Sequence, residues 1–343
     1  MLRRQMLRLM TAVILGAALP VATQPAAADA MLRDFAYPYT VANFALRSQG
    51  QDLTMAYMDV APTGVANGRT IVLLHGKNFC GASWESVIAP LAANGYRVVV
   101  PDQIGFCKSS KPERYQYGLH QLAANTHALL AKLGVAKPII MGHSMGGMLA
   151  MRYALQYGAE TGGLVVVNPL GLEDWKAKGV PFATVDQLYE RELKVTADSI
   201  RKYEQTTYYA GQWRPEFERW VGMLAGMYAG EDGRRFAWSQ ALTADVIFSQ
   251  PVVYELERIA VPALLLIGEK DITAIGRDRA PPEVAATLGR YPELARAAAA
   301  RIPGARLTTF PELGHSPQVQ APDRFNAALI DGLAAFPTAA TGK

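Results

Sequence analysis

Six short apolar runs recur along this chain, and longer stretches with helical spacing separate them. They cover 70–75 (TIVLLH), 97–101 (RVVVP), 138–142 (PIIMG), 164–168 (LVVVN), 263–268 (ALLLIG) and 306–311. Runs apolar at nearly every position suit strands buried on both faces, as happens when helices cover both sides of a parallel sheet. The segments 83–94, 119–133, 146–157 and 322–335 carry the spacing of such helices. Ahead of the first run, 37–57 alternates apolar and polar residues, which predicts an antiparallel hairpin.

Between 171 and 259 the strand rhythm stops. Amphipathic segments there hold four of the five tryptophans, Trp175, Trp213, Trp220 and Trp238. An insertion of this size between two core strands reads as a helical cap. The Ala- and Pro-rich stretch 275–302 reads as an enlarged helix after the next strand. The expected division is core over 31–170, cap over 171–259, core again over 260–336 and a tail over 337–343.

Residues 1–30 have the layout of an export signal: Arg3, Arg4 and Arg8, an apolar stretch from Leu9 to Leu19, and a small-x-small end at Ala28-Asp29-Ala30. The apolar stretch falls short of the ~20 residues that span a bilayer, so stable membrane insertion is not expected. A periplasmic or secreted protein follows, by the general export route or, on the loose likeness of Arg3-Arg4, the twin-arginine one. The formal net charge of +4 is modest, half of it lies in those thirty residues, and no Lys or Arg run marks one face. Nucleic acid is therefore not an expected partner. No phosphate-binding loop, dinucleotide fingerprint or metal-ligand spacing appears, so neither cofactor nor metal is expected. The sequence sets no oligomeric state.

The chemistry concentrates at Gly142-His143-Ser144-Met145-Gly146-Gly147, directly between a buried run and a helical pattern. A serine hydroxyl attacks carbon only when it is exposed and next to a base. A sharp strand-to-helix turn provides the exposure, and glycines two positions either side let it close. The base is His315, the one histidine of five that follows Ser144. Its orienting carboxylate is Asp271, three residues beyond Gly268, with Glu269 and Asp174 as rivals. Developing negative charge needs two N–H donors. The amide of Met145 is one, and that of Lys77, or failing it Asn78, is the other.

These motifs resemble the α/β-hydrolase superfamily, in its cap-bearing serine hydrolase and esterase-like branch, from about Tyr37 to Ala335. The likeness rests on LLHG at 73–76, PDQIGFCKSS at 101–110, GHSMGG at 142–147, the turn 268–271 and GHSP at 314–317. It implies an α/β fold with a mostly parallel eight-stranded sheet, flanking helices and an inserted helical cap. Relatives acting on epoxides or carbon–halogen bonds carry aspartate where this chain has Ser144, and relatives that cleave carbon–carbon bonds tend to have Asn and Trp where it has His143 and Ser316. The resemblance therefore implies a carboxylic ester hydrolase working through an acyl-enzyme on a small, hydrophobic ester or acyl substrate. A carbon–carbon bond hydrolase, an amidase or peptidase, and a non-catalytic small-molecule binder remain the alternatives. Asn78, Phe79, His143, Trp213 and Trp220 are the expected substrate contacts, with Tyr254 unranked beside the tryptophans. His75 is read as bracing its loop. In this fold the loops carrying Cys80 and Cys107 rise from neighbouring strands, which in an oxidising compartment implies a disulfide.

Overall fold

In the computed structural model, which describes residues 29–337, eight strands form one sheet in the order β1-β2-β4-β3-β5-β6-β7-β8. They are β1 (Val41–Ser48), β2 (Gln51–Val60), β3 (Thr70–Leu74), β4 (Arg97–Pro101), β5 (Ile139–His143), β6 (Gly163–Val167), β7 (Ala263–Gly268) and β8 (Arg306–Phe310). β1 and β2 pair antiparallel, β2 runs antiparallel to β4, and every pairing from β4 onward is parallel. The hairpin turns at Gln49-Gly50, both at positive φ (50° and 74°), as a two-residue turn between twisted strands requires. The predicted hairpin reached only Tyr57, whereas β2 continues to Val60 and pairs there with Val98.

Alternation along each parallel strand feeds two apolar layers. Ile71 and Leu73 face one side with α1 (Glu85–Ala93) and α11 (Pro322–Ala334), where Ile88, Leu91, Phe325 and Leu329 are buried. Val72 and Leu74 face the other, with α2 (Leu119–Lys132) and α3 (Met145–Gln156), where Leu122, Leu129, Met148 and Leu149 are buried. β5 and β6 are buried at every position, as the apolar runs required.

Among the described residues no strand lies between β6 and β7. That stretch holds α4 (Val185–Glu192), α5 (Ala197–Tyr203), a π-helical turn (Glu204–Tyr208), α6 (Glu218–Ala229) and α7 (Gly233–Ser249). Thr184 and Thr196 start α4 and α5, each accepting from the N–H three residues on while that residue's side chain accepts in return. The single helix expected over 275–302 is broken instead. A turn at 277–279 and α8 (Pro282–Ala285) precede α9 (Tyr291–Arg301), because paired prolines at 281–282 withhold N–H donors and Gly289 sits at φ 60°. A short α10 (Pro317–Gln320) follows β8. No helix of the described residues is long and apolar enough to cross a membrane. The expected export signal up to residue 28, and the tail from 338, lie outside the described residues.

Candidate active site

Parallel strands end together, so the residues following β5, β6, β7 and β8 gather at one rim of the sheet. Ser144 follows β5 directly. Its backbone sits at φ 57°, ψ −120°, a conformation that a side chain strains, and its N–H donates to Val167 O at 3.0 Å. The turn closes only over glycine: a Cβ on Gly142 would come within 1.9 Å of Gly146 O, and one on Gly146 within 2.1 Å of Leu74 O.

Asp271 follows β7, is 1% exposed, and accepts four hydrogen bonds. Its Oδ1 takes Thr273 N (2.8 Å) and Thr273 Oγ1 (2.6 Å). Its Oδ2 takes Asn168 Nδ2 (2.9 Å) and His315 Nδ1 (2.6 Å). Because the carboxylate only accepts, His315 carries a proton on Nδ1, and in the neutral imidazole Nε2 is then the lone-pair nitrogen. Among the described residues that Nε2 has no hydrogen-bond partner. Asn168, at the end of β6, also bridges to Gly268, receiving its N–H at 2.8 Å and donating to its carbonyl at 3.0 Å.

His315 is held from three directions. Its N–H donates to Thr207 O (3.1 Å) and that of Ser316 to Tyr208 O (3.2 Å), both carbonyls of the π-helical turn. Gln320 accepts from Gly314 N (2.8 Å) and donates to Tyr209 O (3.0 Å). From below, His143 Nε2–H donates to the carbonyl of His315 at 2.8 Å. Burial, with the neighbouring His315, holds the imidazole of His143 well below its usual pKa, so it stays neutral.

Ser144 and His315 line a single cavity of about 380 Å³ together with Lys77, Asn78, Tyr208 and Tyr228. The turn that presents the first two has Phe79 N donating to Gly76 O at 3.1 Å, which leaves the Lys77 and Asn78 amides outside that bond. Met145 opens α3, where an N–H has no partner within the helix. Cys80 and Cys107 are joined by a disulfide with a Cα separation of 5.8 Å, tying this loop to the one after β4. His75 is fully buried; Nδ1 donates to Gly76 O (2.9 Å) and Nε2 accepts from Gln103 N (3.0 Å), which braces the same loop.

Four expected substrate contacts do not line the cavity. Phe79 turns into the core against the rings of His143, Tyr208 and Trp220. His143, one strand position before Ser144, points to the opposite side and is buried beneath His315. Trp213 packs on Tyr209 and Phe217 within the insertion, whereas Trp220 packs on Phe35 and Phe79 outside it and so seats the insertion on the rest of the fold. Tyr254 is 64% exposed. The rival acids also stand apart: Glu269 is not in the cavity wall, and Asp174 accepts from the amides of Lys176 and Ala177. The cavity wall comes instead from residues the sequence did not single out, including Glu192, Tyr203, Tyr208 and Tyr228. Their helices are amphipathic, and amphipathicity does not say which partner each face meets.

One His/Asp/Cys cluster appears among the described residues, His75, Asp102 and Cys107, within 4.8 Å of one another. It offers no free donor set, since the Cys107 sulfur is in the disulfide and Asp102 accepts from Tyr37 OH, Gly81 N and Lys108 N.

A family model described as the alpha/beta hydrolase family matches residues 71–328. The chain belongs to that family. This hydrolase is 60% identical to a crystal structure of a "probable hydrolytic enzyme" from Pseudomonas aeruginosa, with a TM-score of 0.89 over 91% of this chain and 99% of the other. It is 26% identical, over 78% of its length and 88% of the relative's, to the 2-hydroxy-6-oxo-6-phenylhexa-2,4-dienoate hydrolase of Burkholderia cepacia. It shares its fold with an esterase from Exiguobacterium antarcticum at 20% identity, TM-score 0.63, over 83% of this chain and 97% of that one.

Proposed function

We propose that this hydrolase cleaves a carboxylic ester of a small, largely apolar substrate through an acyl-enzyme, with Ser144 as nucleophile, His315 as general base and Asp271 as its orienting acid. The observation that carries the reading is the His315 ring. One nitrogen is fixed on Asp271 at 2.6 Å and the other, unpartnered among the described residues, belongs to a residue of the same cavity wall as Ser144.

The reaction runs in two halves. His315 Nε2 takes the proton of the Ser144 hydroxyl as the oxygen adds to the ester carbonyl. The carbonyl oxygen, now negative, is held by the amides of Met145 and Lys77. Collapse breaks the carbon–oxygen bond to the alcohol, which leaves with the proton from His315. Water then repeats the sequence on the acyl-Ser144 carbonyl, its proton passing to His315 and on to Ser144 as the acid departs. Asp271 stabilises the imidazolium in both halves and is not itself protonated.

Labelling with a fluorophosphonate probe tests the reading. Labelling that disappears in Ser144→Ala, with turnover of p-nitrophenyl esters lost by a factor of ~10⁴ or more, is expected. Folded wild-type protein that neither labels nor turns over these esters overturns it. A second reading, carbon–carbon cleavage of a ring-fission diketone, is favoured by the coverage of the Burkholderia relative. Assaying such a diketone beside the esters separates the two. The export reading is likewise proposed: a disulfide suits an oxidising compartment, and fractionation of the producing cells checks it.

A further inference from the structure

An ion pair stands inside the cavity. Lys77, on the loop that also supplies the proposed amide, places Nζ 2.8 Å from Glu192 Oε1, with the two side chains 15% and 14% exposed. Tyr228 OH donates to the other oxygen, Oε2, at 2.5 Å, and all three residues line the same cavity as Ser144.

For stability alone the arrangement is a poor one. Withdrawing a lysine and a glutamate from water costs energy that their attraction does not reliably recover, and apolar side chains of similar size fill such a site at least as well. Glu192 is moreover the last residue of α4, where the helix already presents its negative end. Much of the surrounding wall is apolar, including Leu188, Leu224 and Ile247. A polar cluster held there against these costs has a use in what the cavity takes.

Its unused valences define that use. Each Glu192 oxygen already accepts one hydrogen bond from within the cluster. Among the described residues Glu192 is the one hydrogen-bond partner of Lys77 Nζ, so two of the three ammonium donors remain. Tyr228 spends its proton on Glu192 and keeps its oxygen as an acceptor. Burial and the Glu192 carboxylate push the Tyr228 phenol well above its usual pKa, so that donation persists across the working pH range. The cluster thus offers a donor and an acceptor side by side, with its charges balanced.

We infer that Lys77, Glu192 and Tyr228 form a specificity subsite for a neutral hydroxyl or carbonyl group carried by the substrate near its scissile ester. The inference rests on the ester reading and names which esters the site prefers. At this cluster a carboxylate gains no net charge to pair with, because Glu192 already neutralises Lys77.

The test compares p-nitrophenyl hexanoate with its β-hydroxy and ω-hydroxy analogues for the acyl limb, and butyl with hydroxybutyl hexanoate for the alcohol limb. In the wild type, kcat/KM is expected to favour the hydroxylated member of one limb by about tenfold, the worth of one hydrogen bond to a charged donor. That ratio is expected to collapse in Lys77→Met and Tyr228→Phe. In Glu192→Gln the uncompensated ammonium is expected to turn the preference towards an ω-carboxylated ester, a gain that a merely structural role would not produce. A ratio near one for both limbs in the wild type, or a ratio unmoved by all three variants, overturns the subsite. Fluorophosphonate labelling of Ser144 is scored in parallel. If labelling fails the ester reading fails with it, whereas intact labelling with flat ratios removes the subsite alone.

Discussion

Asn168 Nδ2 donates to Asp271 Oδ2 at 2.9 Å, the same oxygen that receives His315 Nδ1 at 2.6 Å. The amide therefore shares the carboxylate with the imidazole, and it locks the ends of β6 and β7 together through Gly268. Replacing it by alanine is expected to lower kcat/KM by about tenfold, the value of a hydrogen bond to a charged group. Asn168→Asp is the sharper variant. It keeps the size but sets an oxygen against two acceptors, Asp271 Oδ2 and Gly268 O, in place of the donor they share. Its kcat/KM is expected to fall further than that of the alanine variant. Wild-type kcat/KM in a folded Asn168→Asp variant refutes the role.

The loop bearing His315 fits its neighbours without slack. A Cβ on Gly314 would lie 2.6 Å from Tyr208 O, 2.9 Å from Ala210 N and 2.9 Å from Thr207 O. Gly314→Ala is expected to destabilise by about 1–3 kcal/mol, the usual cost of overpacking, and to depress kcat as the loop shifts. Gly158→Ala, where a Cβ would meet nothing within 4 Å, is the control and should leave both unchanged. Thermal melts and initial rates of the two variants make the comparison.

Reduction of the disulfide should act on the loop that carries Lys77 and Asn78. Its cysteines are 27 residues apart, and releasing a loop of that length frees about 3.5 kcal/mol of unfolded-chain entropy. A Cys80→Ser, Cys107→Ser double variant is expected to melt lower and to lose kcat more than affinity. Equal melting temperatures with and without reductant would count against this.

Stability should also respond to pH through Glu204, at the start of the π-helical turn. This side chain is fully buried; among the described residues Oε1 has no partner and Oε2 lies near Tyr209 OH at 3.4 Å. Burial pushes its carboxyl up from 4.5 to about 8. Between those values the unfolded chain has released the proton and the folded one keeps it, so stability falls as pH rises and levels off above about 8. Glu204→Gln removes that slope. Its melting temperature relative to wild type is expected to climb from pH 5 to pH 8, and a constant difference would show that the carboxyl titrates normally.

The sheet was largely legible because strands buried on both faces need apolar residues at every position, and β7 was delimited residue for residue by ALLLIG. The placement of Ser144, Asp271 and His315 at the rim was legible for a related reason: each follows such a run, and the rim is where runs end. Asn168 was missed although it ends LVVVN, a polar residue closing an apolar strand being the available signal. The cavity wall was not legible. Tyr228 and Trp220 lie on one helix with similar chemistry, yet one borders the cavity and the other packs on Phe35, a difference set by how the helix is rolled against its neighbours. The same holds for Phe79, two residues from Lys77 and turned the opposite way.

The insertion between β6 and β7 looks at first like an interchangeable part, since both its ends leave the sheet at adjacent strands. The carbonyls of Thr207 and Tyr208 deny it that freedom, because they grip the backbone of His315 and Ser316. A foreign segment transplanted here to alter selectivity would have to reproduce those two acceptors, or the imbalance would reach the chemistry itself.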